Sequence, residues 1–401
     1  MSGHISYLPL FVLLLIITAV FLTATTKAES NLRTWDKTTP GQNKTMKFVC
    51  YYPLPVSPPN TTIPENLDAT LCTHIIFIPT NINDACEVAA AYPFHLDLFS
   101  KVIPVIRKQN PALTVMVSNG GAFDQVLGSP YNMSRFINSI VPFLRKYDFD
   151  GFDLDWEFPG WNGRPVGQRH NFALLTMGLR ELFEEEAKQT SRPRLLLSAA
   201  VSTANSMMVI YEFHILAKTL DYVNLMGYDF NAFSYLRPFV YFNSPLKPER
   251  YDTEFFVTNN LEWASKEWVH RGIPIEKMMI GMPTYVHTYT LLLEEFTAPG
   301  SPAKGRGQCD FCGYKFACKM LQQNWTRKFD ESARVPYMYR GDQWVSYDDE
   351  SSLAEKAQWV KDNGFGGVMV WDMRDDDTEG VCDGKTKFPL LKAIRKTLFG
   401  V

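Results

Sequence analysis

Between Phe149 and Glu157 the chain reads Phe-Asp-Gly-Phe-Asp-Leu-Asp-Trp-Glu. As a strand, this stretch sends Phe152, Leu154 and Trp156 to one face and Asp153, Asp155 and Glu157 to the other. A surface strand would turn such an acidic face to water. A strand of a closed parallel barrel has no wet face, because its outer side packs on helices and its inner side fills the barrel. Carboxylates crowded into an interior are costly unless paired, hydrogen-bonded or protonated, and sites that bear this cost are usually functional. Members of a deep cluster titrate together, so the outermost, Glu157, can keep a proton near neutral pH. That suits a general acid acting on a glycosidic oxygen. Two other uses stay open for the same residues. One is an acidic network that only stabilises the barrel. The other is a divalent-metal site, although Mg²⁺ or Ca²⁺ would want more oxygen ligands.

The elements that would position this cluster are legible along the chain. Short β-rich runs at 48–52, 74–78, 113–118, 151–155, 195–201, 222–226, 278–282 and 367–371 alternate with helical patterns. Eight such runs predict an α/β fold of the (β/α)8 TIM-barrel type. Over 168–188, Phe172, Leu175, Leu179 and Leu182 share one helical face, and Glu184, Glu185 and Glu186 read as a solvated end. The seventh and eighth runs lie about 85 residues apart, far more than a simple β/α unit needs. The excess, 286–348, predicts a small inserted α+β domain rather than a structureless loop. His74, within an apolar run, reads as a satisfied core histidine.

The composition is globular: 401 residues, 46% hydrophobic and 21% charged, with a net charge of −3. No block of Lys and Arg appears, which argues against a nucleic-acid partner. Residues 10–22 form an uncharged apolar run followed by Ala24 and Ala28, the pattern of a secretory signal over 1–28. An uncleaved membrane anchor is the alternative, since the uncharged run 5–26 is just long enough to span. Residues 29–45 read as a polar linker, leaving 46–401 for the barrel. Four sequons, at Asn43, Asn60, Asn132 and Asn324, agree with a secreted, extracellular glycoprotein. Seven cysteines in an oxidising compartment should mostly pair, leaving at least one unpaired within the chain. Cys309 and Cys312 form a CxxC without a second such pair at zinc-finger spacing, so they read as disulfide cysteines.

Asp150-Gly-Phe-Asp153-Leu-Asp155-Trp-Glu157 resembles the DGxDxDWE signature of glycoside hydrolase family 18, the chitinases and chitinase-like proteins. Ser118-Asn-Gly120-Gly121 resembles that family's SxGG, Met226-Gly-Tyr228-Asp229 its MxYD and Gly281-Met-Pro283-Thr-Tyr285 its GxPxY. Trp371 resembles the tryptophan that ends its eighth strand. The long motif is specific, and the short ones count because they occur in order across 47–401. The resemblance implies that Glu157 protonates the leaving oxygen while the substrate's own N-acetyl oxygen attacks the sugar, an exception to the two-carboxylate scheme. It implies that Asp155 orients the acetamido N–H, Asp153 holds or shares a proton with Asp155, and Tyr228 donates to the acetamido oxygen. Trp371 would be the stacking floor, and Asp229, Met226, Tyr285, Gly120, Gly121 and Tyr52 would contact substrate. It further implies disulfides Cys50–Cys72 and Cys318–Cys382; Cys86, Cys309 and Cys312 have no counterpart in the family pattern, and either Cys309 pairs with Cys312 or Cys86 pairs with one of them. The implied partner is chitin or an N-acetylglucosamine oligosaccharide, bound by a monomer with no cofactor and no metal. Membrane contact is implied only if the N-terminal segment stays uncleaved.

Several lining positions depart from the family pattern. Ala122 stands where a Trp is usual, and Phe230-Asn-Ala-Phe233 follows Asp229 without the usual Gly and Trp. Val286-His287 replaces a common Gly-Arg, and Arg374 stands where Asp is frequent. Lost aromatics remove stacking platforms, which leaves a chitinase-like lectin as the alternative to an endo-chitinase.

Overall fold

The structure is a computed structural model. It describes residues 46–401 apart from 59–65, 122, 162, 166, 251 and 253–255. The expected signal or anchor 1–28, the linker 29–45, the sequons at Asn43 and Asn60, and Ala122 lie outside the described residues. Among the described residues no helix is long and apolar enough to cross a membrane.

In chain order the strands are β1 (Lys47–Pro53), β2 (His74–Ile82), β3 (Val88–Ala90), β4 (Thr114–Asn119), β5 (Gly151–Leu154), β6 (Leu196–Ser202) and β7 (Tyr222–Met226). There follow β8 (Met278–Pro283), β9 (His287–Leu291), β10 (Ala303–Arg306), β11 (Thr326–Asp330), β12 (Val335–Arg340), β13 (Gln343–Ser346) and β14 (Gly367–Trp371). Eight of them pair in parallel, in the order β1-β14-β8-β7-β6-β5-β4-β2, and β1 also pairs with β2, closing the barrel. The short β3 adds antiparallel to the far end of β2.

Alternation along each strand sorts the side chains into two cores. Phe48, Cys50, Tyr52, Phe77, Phe152, Leu154 and Ile280 face outward into the layer shared with the helices. Val49, Tyr51, Ile76, Met116, Tyr222, Met279 and Met369 fill the barrel. Glycine is required where β7 and β8 run closest. A Cβ at Gly281 would stand 2.2 Å from the Leu225 carbonyl oxygen. The glycine of the GxPxY run therefore serves strand packing.

The helix Gln168–Thr190 buries Phe172, Leu175, Leu179 and Phe183, while Leu182 is only half-buried. Its apolar stripe thus ends one residue later than the periodicity suggests. Its acidic end is not uniformly solvated either: the Glu186 carboxylate is 10% exposed and takes both Nε and Nη2 of Arg145, at 2.8 and 2.6 Å. His74 is buried at the start of β2, with Nδ1 2.8 Å from Thr73 Oγ1, and burial pushes its pKa down to about 3. It is a neutral core residue.

Between β8 and β14 the chain builds a second, antiparallel sheet in the order β10-β9-β13-β12-β11, with the helix Tyr314–Gln322. This sheet has its own apolar centre of Tyr289, Leu291, Val335 and Trp344. Disulfides join Cys50 to Cys72, Cys318 to Cys382 and Cys309 to Cys312, while Cys86 is free and buried. Of the two described sequons, Asn324 is exposed at a turn, whereas the Asn132 amide is half-buried and donates to the Gln125 carbonyl at 3.0 Å.

Candidate active site

The strand period places Asp153 inside the barrel, and the surrounding strands supply its partners. Its carboxylate is fully buried and accepts from Tyr51 Oη (2.7 Å), Ser118 Oγ (2.8 Å), Ser198 Oγ (2.5 Å) and Asn224 Nδ2 (3.2 Å). These donors come from β1, β4, β6 and β7. Burial pushes its pKa up, and the four donors oppose that rise. Four donors stabilise a charged Asp153 carboxylate, and three of them are hydroxyls that can turn to accept when a proton arrives.

Asp155 differs. It is buried just past the end of β5, and its Oδ1 has no hydrogen-bond partner. Burial raises its pKa well above the carboxylate range, and the neighbouring charges of Glu157 and Asp153 add to that. Asp155 is therefore pushed toward its protonated form, and its Oδ1 is buried without a partner. Glu157 reaches the cavity mouth, where its residue is solvent-accessible. Partial desolvation raises its pKa, with the Asp229 carboxylate a further cause. The remaining acid of the motif is structural: Asp150 Oδ2 accepts from the Val115 amide and pairs with Arg107 Nη2 at 2.8 Å.

A cavity of about 420 Å³ opens over this ladder, within the range of small-ligand sites. Asp155, Glu157, Met226, Tyr228, Asp229, Tyr285 and Trp371 all wall it. The Tyr228 phenol is kept protonated by burial, and the Asp155 and Asp229 carboxylates reinforce this. Its recorded partner is the Met369 sulfur, 3.9 Å away. A thioether is a weak acceptor, so this proton is available to a ligand. Trp371 packs on Tyr51 with ring centroids 5.5 Å apart.

One expected contact is corrected. Tyr52 points outward and donates to Asn66 Oδ1, because the neighbouring Tyr51 takes the inward position on β1. Gly120 borders the site, since a Cβ there would lie 3.7 Å from Asp155 Oδ2. Gly120 packs beside Asp155, where a Cβ would lie 3.6 Å from its carbonyl oxygen, and Gly121 donates its N–H to Asn119 Oδ1. Phe230 and Phe233 are buried in the cores rather than offered as platforms. Ser198, Asn224, Asp310 and Phe311 carried no sequence signal beyond their side-chain types. Tyr51 could have been found from the period-two pattern of β1.

His287 joins the site to the inserted sheet. It is 1% exposed, with Nε2 2.7 Å from Asp229 Oδ1 and Nδ1 2.7 Å from Asp310 Oδ1. Tyr285 Oη donates to the same Asp229 oxygen at 2.6 Å. Burial alone would lower the imidazole pKa, but the two carboxylates reverse this and raise it to about 9. His287 is thus a buried cation where Arg is common. A free histidine titrates near ~6.5. Its stabilising contribution is therefore complete below that pH and is lost as pH rises through about 9. In urea unfolding at pH 6, His287→Gln will be less stable than the parent, and the gap will close by pH 10. A gap that is constant with pH would show that the imidazole is neutral.

A ladder of carboxylates at the strand ends of a (β/α)8 barrel, under a cavity walled by aromatics, defines a carbohydrate-handling barrel. The chain belongs to the family Glycosyl hydrolases family 18, whose profile matches residues 47–376. It is 33% identical to Chitotriosidase-1 of Mus musculus over 84% of this chain and 74% of that protein. It is 35% identical to the oviduct-specific glycoprotein of Mesocricetus auratus, covering 90% of this chain but 55% of that longer protein. Among solved structures it resembles human YKL-39, described as a pseudo-chitinase with retained chitooligosaccharide binding properties. That likeness has a TM-score of 0.81 and 32% identity, over 88% of this chain and 99% of the other.

Proposed function

We propose that the protein is a secreted, retaining glycoside hydrolase. It cleaves β-1,4 linkages of N-acetylglucosamine in chitin or chito-oligosaccharides by an endo-chitinase type of action. The observation that carries this reading is the grading from β5 outward: Asp153 held by four donors, Asp155 buried with an unpartnered oxygen and a raised pKa, and Glu157 accessible with a raised pKa.

Glu157 gives its proton to the glycosidic oxygen as the C1–O bond breaks. The substrate's acetamido carbonyl oxygen bonds to C1, forming an oxazolinium ion. Asp155 accepts the acetamido N–H once its own proton shifts towards Asp153, and Tyr228 donates to the acetamido oxygen. Water then attacks C1, Glu157 takes a proton from it, and two inversions at C1 amount to retention. Trp371 supplies the apolar floor, and Asp229 and Tyr285 hold the sugar hydroxyls. No cofactor or metal is needed for these steps. The three disulfides and the exposed sequon at Asn324 support an oxidising, extracellular setting for a glycoprotein.

The test is release of the fluorophore from a fluorogenic chito-oligosaccharide by the purified protein. Release with a bell-shaped pH profile is expected. Oligosaccharide binding with no release from pH 3 to 9 would overturn the hydrolase in favour of a lectin, the state described for the pseudo-chitinase relative.

A further inference from the structure

The CxxC segment places an aromatic ring in the cavity. Cys309 and Cys312 are joined, and between them Phe311 lines the cavity while Asp310 turns to His287. Several contacts pin this short loop. The Phe311 N–H donates to the Val286 carbonyl at 3.0 Å, and the Val286 N–H donates to the Cys312 carbonyl at 2.8 Å. Asp310 is held by His287 and by the Thr288 N–H at 3.3 Å. Phe311 has φ +61°, a left-handed backbone that a bulky side chain rarely adopts and that only an over-determined setting maintains.

The residue is 52% exposed. One face stacks on Tyr285 at 5.6 Å and 26°, and the ring meets His287 at 4.8 Å and 75°. The ring also walls the cavity that holds Glu157 and Trp371. A half-exposed Phe gains only part of the burial energy open to it, yet Val286, Tyr285 and His287 hold it in place. An apolar plane that is rigid, accessible and next to a sugar site is suited to stack on the C–H face of a pyranose.

We propose that Phe311 is a substrate-binding residue whose open ring face stacks on an N-acetylhexosamine unit next to the one resting on Trp371. The Cys309–Cys312 clip and the Asp310–His287 pair position it. This wall compensates for platforms that the chain lacks at Ala122 and after Asp229. The inference rests on the reading of the cavity as a site for N-acetylglucosamine oligomers, and it requires binding but not turnover.

The experiment measures chitotetraose affinity by calorimetry in a Glu157→Gln background, so that no substrate is consumed. Phe311→Ala should weaken binding by about tenfold, whereas Phe311→Tyr, which keeps the flat ring, should stay within about twofold. The urea midpoint of Phe311→Ala should match the parent's, which separates loss of a contact from loss of the fold. Unchanged affinity in Phe311→Ala overturns the proposal. So does equal weakening in Phe311→Tyr, because the ring would then only cover Tyr285 and His287. A parent that binds chitotetraose without hydrolysing it, with binding lost in Phe311→Ala, leaves this inference standing and removes the hydrolase. A parent that does not bind chitotetraose removes both.

Discussion

Replacing Glu157 by Gln is expected to lower turnover of a fluorogenic chito-oligosaccharide by roughly 10²–10⁴-fold while leaving oligosaccharide binding in place. The amide has the size and planarity of the carboxyl, and its residue remains at the mouth of the cavity. It cannot surrender a proton to the leaving oxygen or take one from water. The other groups that meet the sugar, Asp155, Tyr228 and Trp371, are untouched. Glu157 is also the second cause, after burial, of the raised Asp155 pKa. The neutral amide therefore lets the Asp155 pKa fall part of the way back, and any residual activity should move its pH profile toward acid. Single-turnover release and chitotetraose binding, measured side by side, decide the matter. A variant retaining more than about a tenth of parental turnover would remove Glu157 from the role of acid.

The largest expected effect on stability lies away from the cavity. Lys356, on the helix Glu350–Asp362, is fully buried. Its ammonium donates to both oxygens of Asp348 at 2.7 Å, to the Ser244 carbonyl at 2.5 Å and to Ser244 Oγ at 3.1 Å. Ser244 Oγ in turn donates to the carbonyl of Gly227, the residue before Tyr228, at 2.6 Å. One cation thus ties the end of the inserted segment, the loop after β7 and a barrel helix together. Burial lowers the lysine pKa and raises that of Asp348, and each partner opposes the shift in the other. Removing one partner leaves the other as an uncompensated buried charge, which typically costs about 3–5 kcal/mol. Lys356→Met should lower the unfolding free energy from urea titration by that much, and Lys356→Met with Asp348→Asn should recover part of it. A single variant within about 0.5 kcal/mol of the parent would mean that water or a rearranged side chain satisfies Asp348.

The eight barrel strands were readable in the sequence because each carries a local signal, a short β-rich run bounded by turn residues. The same local period placed Asp153, Asp155 and Glu157 on one face, and motif order placed Tyr228, Asp229, Tyr285 and Trp371 at strand ends. Local periodicity fails where neighbours compete. Tyr51 and Tyr52 are identical in type, and only the register of β1 against β2 and β14 determines which one faces inward. Likewise the Phe172 stripe ends at Phe183 rather than Leu182 because the packed helix, not its isolated period, sets the buried face.

By itself the sequence determined the barrel, the inserted domain and the acidic ladder, since alternation and spacing are properties of neighbouring residues. Only the tertiary structure decided which carboxyls of the ladder are hydrogen-bonded. That depends on which donors four different strands bring to Asp153 and withhold from Asp155. It also decided that His287 is a cation and that Phe311 walls the cavity. Both outcomes require residues from the barrel strand ends and the inserted sheet to meet, and no local pattern encodes a meeting of that kind.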